Sequence, residues 1–251
     1  MTPENIIRIA LTKGRLEKKT LELLEHSGYD VSELRSGSRK LIFRLPNSNI
    51  ELVLSKAADV ITYVEHGVCD MGVVGKDTIM EKGGSFYETL DLGFGKCRFC
   101  LCGKKGEDFY AGYHTRTIAS KYPKVTRDFF SRKNMDVNII KIEGSVELAP
   151  LLGLADAIVD IVETGTTLKE NGLEPYETVA PISARVIVNL ASMKLKKQQI
   201  QALTEQLQEG LRAKDETKKE AKKAEPKQDT CAREELQHDY ITRKAGKHDP
   251  V

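Results

Sequence analysis

The 251-residue sequence contains no long apolar segment and no large excess of charge of one sign. A transmembrane helix needs about 20 consecutive apolar residues, and no run in this chain approaches that length. The N-terminal stretch MTPENIIRIALTKGRL lacks the basic region and apolar core of a secretory signal peptide. The formal net charge is only +2, which excludes a global field that attracts nucleic acid or membranes. We therefore expect a soluble, cytoplasmic protein that holds small anionic ligands with local groups.

The cysteines also lack the paired spacings of a structural metal site. The count is five, and an odd number in a chain of this length argues against a disulfide framework. Cys97 and Cys100 form one CxxC, which could indicate redox chemistry or half of a zinc site. No second CxxC or histidine pair follows, and CRFCLC alternates as a strand does. We favour buried, reduced cysteines and predict no metal site on the protein.

Apolar runs typical of strands alternate with patterns typical of helices along most of the chain. The predicted strands cover residues 6–11, 40–45, 50–55, 69–75, 88–103, 116–120, 137–144, 156–162 and 183–192. The predicted helices cover residues 16–28, 57–67, 76–84, 123–134, 145–154 and 166–173. This alternation favours an α/β fold with mainly parallel sheets.

The strand and helix series runs twice, over residues 1–92 and about 115–173, which indicates two lobes. Lobe I is predicted to comprise 1–93 and 179–205, because strand 183–192 is expected to return to it. Lobe II is predicted to comprise 94–178. A central cleft between the lobes is then the expected ligand site, since pockets commonly form at such interfaces.

The C-terminal part of the chain has a different composition. Apolar residues at helical spacing (Ile200, Leu203, Leu207 and Leu211) predict an amphipathic helix. The following residues are dense in both charges and almost free of apolar side chains, so they bury little surface. We expect 206–251 to be a charged, flexible extension, and an arm that docks a partner is the alternative.

The segment DAIVDIVETGTTLKENGL, residues 156–173, predicts a phosphate site at the end of a strand. The small residues Thr164 to Thr167 precede a helix, whose first amides have no intrahelical partner and attract anions. Glu163 and Asp160 would repel a bare phosphate, but they could accept hydrogen bonds from the hydroxyls of a sugar phosphate. The alternative is an ordinary helix cap by Thr164 or Thr166, with Glu163 favourable near the positive helix end.

The phosphate segment resembles the ribose-phosphate loop of phosphoribosyltransferases, and five other segments narrow the resemblance to the short form of the ATP phosphoribosyltransferase family. The resemblance covers roughly residues 5–205. The segments occur in the family's order: LTKGRL (11–16), CDMGVVGKD (69–77), FGKCR (94–98), IASKYP (118–123), EGSVELAPLLGLADAIVDIVETGTTLKENGL (143–173) and SARVIVN (183–189). The short form is indicated because the residues after 205 show no alternating strand pattern for a regulatory domain.

The resemblance implies a two-lobed, periplasmic-binding-protein-like (type II) fold. It also implies a reaction that joins N1 of ATP to C1 of 5-phosphoribosyl diphosphate and releases diphosphate, the first step of histidine biosynthesis. Mg²⁺ is expected to be bound with the diphosphate. The expected partner is a regulatory subunit similar to histidyl-tRNA synthetase, in a hetero-octamer. The alternative is a non-enzymatic cytosolic protein of the same fold that binds or senses a small anion.

The same resemblance implies which residues bind substrate, and it requires no covalent nucleophile or histidine dyad. The loop and strand-end group is Asp160, Glu163, Thr164, Gly165, Thr166, Thr167, Glu143, Gly144 and Ser145. Lys13, Gly14 and Arg15 would meet nucleotide or diphosphate oxygens from the first lobe. The opposite wall is Asp70, Gly75, Lys76 and Asp77, with Arg98 near the lobe crossing. Ordinary structural roles are the alternatives: surface charges for Lys13 and Arg15, a turn cap for Asp70, a strand end for Gly75 and a helix entry for Ser145.

Overall fold

A computed structural model describes residues 6–224 of the chain, with side chains described as far as residue 214. The described strands form two separate sheets. The first sheet contains β1 (Ile7–Thr12), β2 (Ile42–Arg44), β3 (Ile50–Ser55), β4 (Met71–Gly75), β5 (Phe86–Asp91) and β11 (Ala184–Asn189). The second contains β6 (Cys97–Lys104), β7 (Arg116–Ser120), β8 (Val137–Lys141), β9 (Ala157–Val162) and β10 (Leu173–Ile182).

The described helices cover the faces and ends of these sheets. In chain order they are α1 (Arg15–His26), α2 (Ser32–Arg35), α3 (Ala57–Glu65), α4 (Lys76–Lys82), α5 (Pro123–Arg132), α6 (Leu148–Leu151), α7 (Thr166–Glu170), α8 (Leu190–Leu195) and α9 (Lys197–Ala224). The α/β class is thereby confirmed. In the described part of the chain, no helix combines the length and apolarity that crossing a bilayer would require.

The sheets are mixed rather than mainly parallel, which corrects the expectation from the sequence. The strand order is β2-β3-β1-β4-β11-β5 in the first sheet and β10-β6-β9-β7-β8 in the second. Strand β1 pairs in parallel with β3 and β4, and β7 pairs in parallel with β8 and β9. Antiparallel strands flank these parallel centres, because β11 runs opposite to β4 and β5, and β6 runs opposite to β9 and β10.

The chain leaves the first sheet after β5 and rejoins it as β11. The predicted strand over 88–103 is therefore two strands in different sheets, separated by Gly93 and Gly95, which have φ values of 66° and 64°. L-residues with side chains rarely adopt such positive φ values, so these glycines allow the chain to change direction. The exact lobe boundaries, at 93/94 and 178/179, stay a prediction, since the residues up to Leu211 form one compact unit.

The sequence analysis did not predict strand β10. Its ten residues, LEPYETVAPI, include Pro175 and Pro181, and prolines are confined to edge positions because they cannot donate to the ladder. The register with β6 also shifts twice, between Pro175 and Glu177 and between Thr178 and Ala180. The shifts and the prolines obscure the alternation that would otherwise identify a strand.

Apolar residues bury both faces of each sheet. On β1, Ile9 and Leu11 belong to the cluster under α1, while Ala10 faces α3. On β6, Phe99 and Leu101 face one side, and Cys100 and Cys102 are fully buried on the other. The prediction that CRFCLC forms a strand is confirmed, with Cys97 half-buried at its start.

The C-terminal helix is longer than the sequence predicted. Ile200, Leu203 and Leu207 of α9 are buried against the first sheet, and Leu211 packs beside them. The segment expected to be flexible from residue 206 is helical to Ala224. Its residues Lys, Glu and Ala are strong helix formers, which explains the difference. The predicted flexibility of 225–251 lies outside the described residues. A second unit begins at Arg212.

Candidate active site

The loop between β9 and α7 has the backbone geometry of a small-ligand site. Gly165 has φ 79° and ψ 4°, the left-handed conformation that glycine adopts without strain. A Cβ built there would meet only Val162 Cγ1, at 3.8 Å, so the conformation rather than crowding favours glycine. Thr164, Thr166 and Thr167 are exposed around it. The loop therefore opens to solvent.

Hydroxyl groups converge within this loop. The Oγ1 atoms of Thr164 and Thr166 are 3.0 Å apart, and the Thr166 amide donates to Thr164 Oγ1 at 3.4 Å. These groups and the first amides of α7 border a pocket of about 220 Å³. Hydroxyls and amides of this kind are the donors that hold phosphate oxygens.

Carboxylates also line this pocket: Asp160, Glu163 and Glu147. Burial raises the pKa of the Asp160 carboxyl above its usual value, although the Ile161 amide acts in the opposite direction. The charge of Glu147 raises it further, and that of Lys121 lowers it. A partly buried carboxylate beside phosphate-binding donors is suited to accept hydrogen bonds from sugar hydroxyls.

Glu147 and Lys121 were not predicted as site residues. Parallel strands β7, β8 and β9 end at the same edge of the second sheet, so the residues that follow them come together there. Lys121 follows β7 directly, and Glu147 lies beyond β8 at the start of α6. Their position after parallel strands was the signal available in the sequence.

A second cavity of about 240 Å³ lies between the two sheets, and Glu163 lines it as well. Arg15 and Asp77 contribute from the first sheet, together with the exposed lysines Lys19 and Lys96. Arg15 Nη1 lies 2.7 Å from Glu163 Oε2 and so links the two walls. Because Glu163 borders both cavities, one extended ligand could occupy them together.

Of two predicted glycines on the side of the first sheet, Gly75 lines the cavity and Gly14 directly precedes Arg15. Gly14 has φ 100° at the turn from β1 into α1, and its amide donates to Glu17 Oε2 at 3.1 Å. At Gly75, a Cβ would overlap Asp77 Oδ1, so the absence of a side chain lets the Asp77 carboxylate fold back over the backbone. The backbone conformation therefore favours glycine at position 14, and the position of the Asp77 carboxylate favours glycine at position 75.

The structure places Asp70 away from this cleft. It lies immediately before β4, at the end of that strand opposite to Gly75, and it is buried. Its carboxylate accepts hydrogen bonds from the Arg8 amide at 2.9 Å, Ser192 Oγ at 2.7 Å and Lys196 Nζ at 2.9 Å. Asp70 thus ties α8 and α9 to the first sheet, and this arrangement supports the structural alternative.

Other predicted residues lie near the cavities but do not border them. Lys76 forms an ion pair with Glu88 at 2.5 Å, and Glu143 forms one with Lys141 at 2.7 Å. The remaining four, all exposed, are Lys13, Arg98, Gly144 and Ser145. Arg98 stands opposite Val162 in the pairing of β6 with β9, two residues from the threonine loop.

Fold and site together define a class of protein: a two-lobed α/β protein with a loop of threonines and glycine beside a cleft. The family model described as HisG, ATP phosphoribosyltransferase, matches residues 56–209. An ATP phosphoribosyltransferase of Clostridium kluyveri is 59% identical over 208 residues, which are 83% of this chain and 95% of that protein. The chain belongs to the ATP phosphoribosyltransferase family.

Solved structures agree with this assignment. The structure of the ATP phosphoribosyl transferase (HisG:HisZ) complex from Thermotoga maritima matches with a TM-score of 0.71 and 34% identity, over 83% of this chain and all of that chain. The periplasmic aliphatic sulphonate binding protein SsuA from Escherichia coli matches with a TM-score of 0.56 and 12% identity, over 87% of this chain and 76% of that chain. The latter likeness confirms the periplasmic-binding-protein-like fold alone.

Proposed function

We propose that this chain transfers a phosphoribosyl group from 5-phosphoribosyl diphosphate to N1 of ATP and releases diphosphate, the first step of histidine biosynthesis. Family membership supports the reaction. The observation that carries its assignment to this cleft is the placement of Glu163, which borders both the threonine loop and the cavity faced by Arg15. The loop is suited to the 5-phosphate, and the adjoining cavity leaves room for the nucleotide and the diphosphate.

The roles of the side chains follow from their chemistry. Thr164, Thr166 and the α7 amides donate to the phosphate, while Asp160 and Glu163 accept from the ribose hydroxyls. Arg15 offers a fixed pair of donors to phosphate oxygens of the nucleotide or of the diphosphate. Positioning of the two substrates is then the main contribution of the protein, since no covalent intermediate is needed.

The same arrangement of carboxylates and Arg15 is suited to the charge separation that develops during the reaction. Positive charge develops on the sugar ring as the bond to diphosphate breaks, and the carboxylates of Asp160 and Glu163 stand beside the ribose position. Mg²⁺ prefers oxygen ligands such as the substrate phosphates, and when bound with the diphosphate it would neutralise charge there. Arg15 lies on the other wall, where the leaving group would gain negative charge.

A regulatory partner is part of the proposal. The Thermotoga maritima structure is a complex of HisG with HisZ, and its HisG-like chain is covered in full by the present one. We propose a partner similar to histidyl-tRNA synthetase and assembly into a hetero-octamer. Light scattering on the chain alone and after mixing with such a partner measures the assembly directly.

The test of the reaction is release of diphosphate when the purified chain meets ATP, Mg²⁺ and 5-phosphoribosyl diphosphate. The assay is run with and without the partner, because the chain alone is expected to be less active. Turnover that requires both substrates supports the proposal. Binding of either ligand with no turnover under any of these conditions would instead favour the alternative of an anion-binding or sensor protein.

A further inference from the structure

Glu81 joins helix α4, which follows β4 of the first sheet, to helix α5, which flanks the second sheet. Its Oε1 accepts a hydrogen bond from the Lys124 amide at 3.2 Å, and its Oε2 accepts one from the Val125 amide at 3.0 Å. These amides lie in the first turn of α5, where no carbonyl within the helix can accept a hydrogen bond from them. A carboxylate at this position also interacts favourably with the helix dipole.

Helix α5 has no cap of its own in this place. Tyr122 precedes the helix without a side-chain hydrogen bond to it, and Pro123 at the first helical position has no amide hydrogen. The acceptor is instead a side chain of α4, 43 residues before Lys124 in the chain. Such a bond can persist only while α4 and α5 stay together.

The same short helix reaches the cleft at its other end. Asp77, in the first turn of α4, borders the cavity that contains Arg15 and Glu163. Burial and then the Asp77 carboxylate raise the pKa of Tyr122, the residue that directly precedes α5. Met80, between Asp77 and Glu81, packs against the apolar core of the second sheet. Contacts at both ends and in the middle of α4 thus span the two sheets.

We propose that Glu81 is a positioning residue: by holding α5 against α4, it sets the cleft width at which the Arg15 wall and the threonine loop can bind one substrate molecule. This inference rests on the proposed function for the identity of that substrate. A widening of the cleft that moves α4 away from α5 breaks the two hydrogen bonds from the Lys124 and Val125 amides to Glu81. Removing the carboxylate therefore lowers the population of the closed arrangement, and apparent affinity falls in proportion to that population.

The test compares a ligand that spans the cleft with one that does not. Phosphoribosyl diphosphate is proposed to contact both walls, whereas ribose 5-phosphate can be held by the threonine loop alone. For Glu81→Ala we expect the affinity for phosphoribosyl diphosphate to fall about fivefold, the size of a lost helix cap. The affinity for ribose 5-phosphate should change less than twofold. Calorimetry on the full chain measures both.

A distance measurement makes the test independent of the reaction. Spin labels at the exposed residues Lys18, in α1, and Lys169, in α7, report the separation of the two sheets. Glu81→Ala should shift the distance distribution to longer values. Glu81→Gln keeps an uncharged side-chain oxygen that can accept a hydrogen bond, so its distances should lie between those of the wild type and Glu81→Ala. Glu81→Gln also provides the comparison if the alanine variant fails to fold.

Glu65→Ala is the matched control. Glu65 is equally half-buried and accepts a hydrogen bond from the Ser85 amide at 3.0 Å, but this bond joins the end of α3 to the residue before β5, both on the side of the first sheet. Glu65→Ala should therefore leave the distances between the spin labels unchanged. An unchanged distance in Glu81→Ala, or equal losses for the two ligands, would overturn the inference. If the wild-type chain does not bind phosphoribosyl diphosphate, the proposed function fails, while the distances still decide the role of Glu81.

Discussion

Arg15 and Glu163 lie 148 positions apart in the sequence, yet their side chains form an ion pair of 2.7 Å across the cleft. The two side chains are 85% and 56% exposed. An exposed pair of this kind contributes at most about 1 kcal/mol to the free energy of folding. Both charged groups are therefore available to a ligand at little energetic cost.

Arg15→Ala should raise the Michaelis constant for ATP by about tenfold, because a charge-assisted hydrogen bond to phosphate oxygens is lost. The free energy of unfolding should change by less than about 1 kcal/mol. Steady-state kinetics and urea denaturation measure the two effects. Arg35→Ala is the control, since it breaks the exposed Arg35–Glu25 pair of 2.6 Å outside the cleft and should not alter kinetics. Wild-type kinetics in Arg15→Ala would contradict the assignment.

Thr166→Ala should weaken the binding of phosphoribosyl diphosphate by about tenfold, because it removes one hydroxyl donor from the loop. Thr166→Ser keeps the hydroxyl and should bind nearly as the wild type does. Adding Gly165→Val to Thr166→Ala should abolish binding, at a stability cost of about 1–3 kcal/mol, because a β-branched residue at φ 79° is strained. Calorimetry and thermal melting distinguish these effects, and unchanged affinity in both alanine-containing variants would exclude the loop from the site.

The parts of the fold that could be predicted from the sequence are those that local residue patterns specify. The threonine loop is an example, since an apolar strand, a glycine and hydroxyl residues before a helix are sufficient to specify it. Positive φ at Gly165 agrees with that interpretation. Strand β10 depends instead on pairing with β6 across register shifts, and no pattern within residues 173–182 records that partner.

The direction of a strand decided which predicted side chains reach the cleft. Asp70 and Asp77 stand on either side of β4, in CDMGVVGKD, and both looked like ligands in the sequence. A cleft forms at the carboxyl ends of parallel strands, so only the residue after the strand arrives there. Lys76 also follows β4, but Glu88 on β5 pairs with it, a contact that only the folded sheet creates.

Asp70→Ala should destabilise the protein by about 2–4 kcal/mol without changing either Michaelis constant. In a largely buried place, the substitution removes the acceptor of the Arg8 amide and the anionic partner of the Lys196 ammonium, which also donates to the Ile6 carbonyl. Urea denaturation measures the loss, and kinetics are taken on the fraction that remains folded. A raised Michaelis constant with unchanged stability would instead restore Asp70 to the binding site.

Asp160→Asn should stabilise the protein at pH 7 while weakening phosphoribosyl diphosphate binding by about tenfold through the loss of an anionic acceptor. Burial raises the pKa of the Asp160 carboxyl in the folded state above its value in the unfolded chain. The ionised form is thus the costly one when folded, and stability is lost as pH rises through the folded pKa. Asparagine carries no charge, so its advantage should vanish below the unfolded pKa of about 4.

Asp156→Asn provides the control of opposite sign. Burial acts to raise the pKa of Asp156, but the Thr117 amide and the neighbouring His114 and Arg116 outweigh it and lower the pKa. The ionised carboxylate therefore favours the folded state, and that stability is lost as pH falls through the folded pKa. Asp156→Asn should melt below the wild type at pH 7, whereas Asp160→Asn should melt above it. Equal melting shifts of one sign would contradict the argument that burial of the Asp160 charge lowers the stability of the folded protein at pH 7.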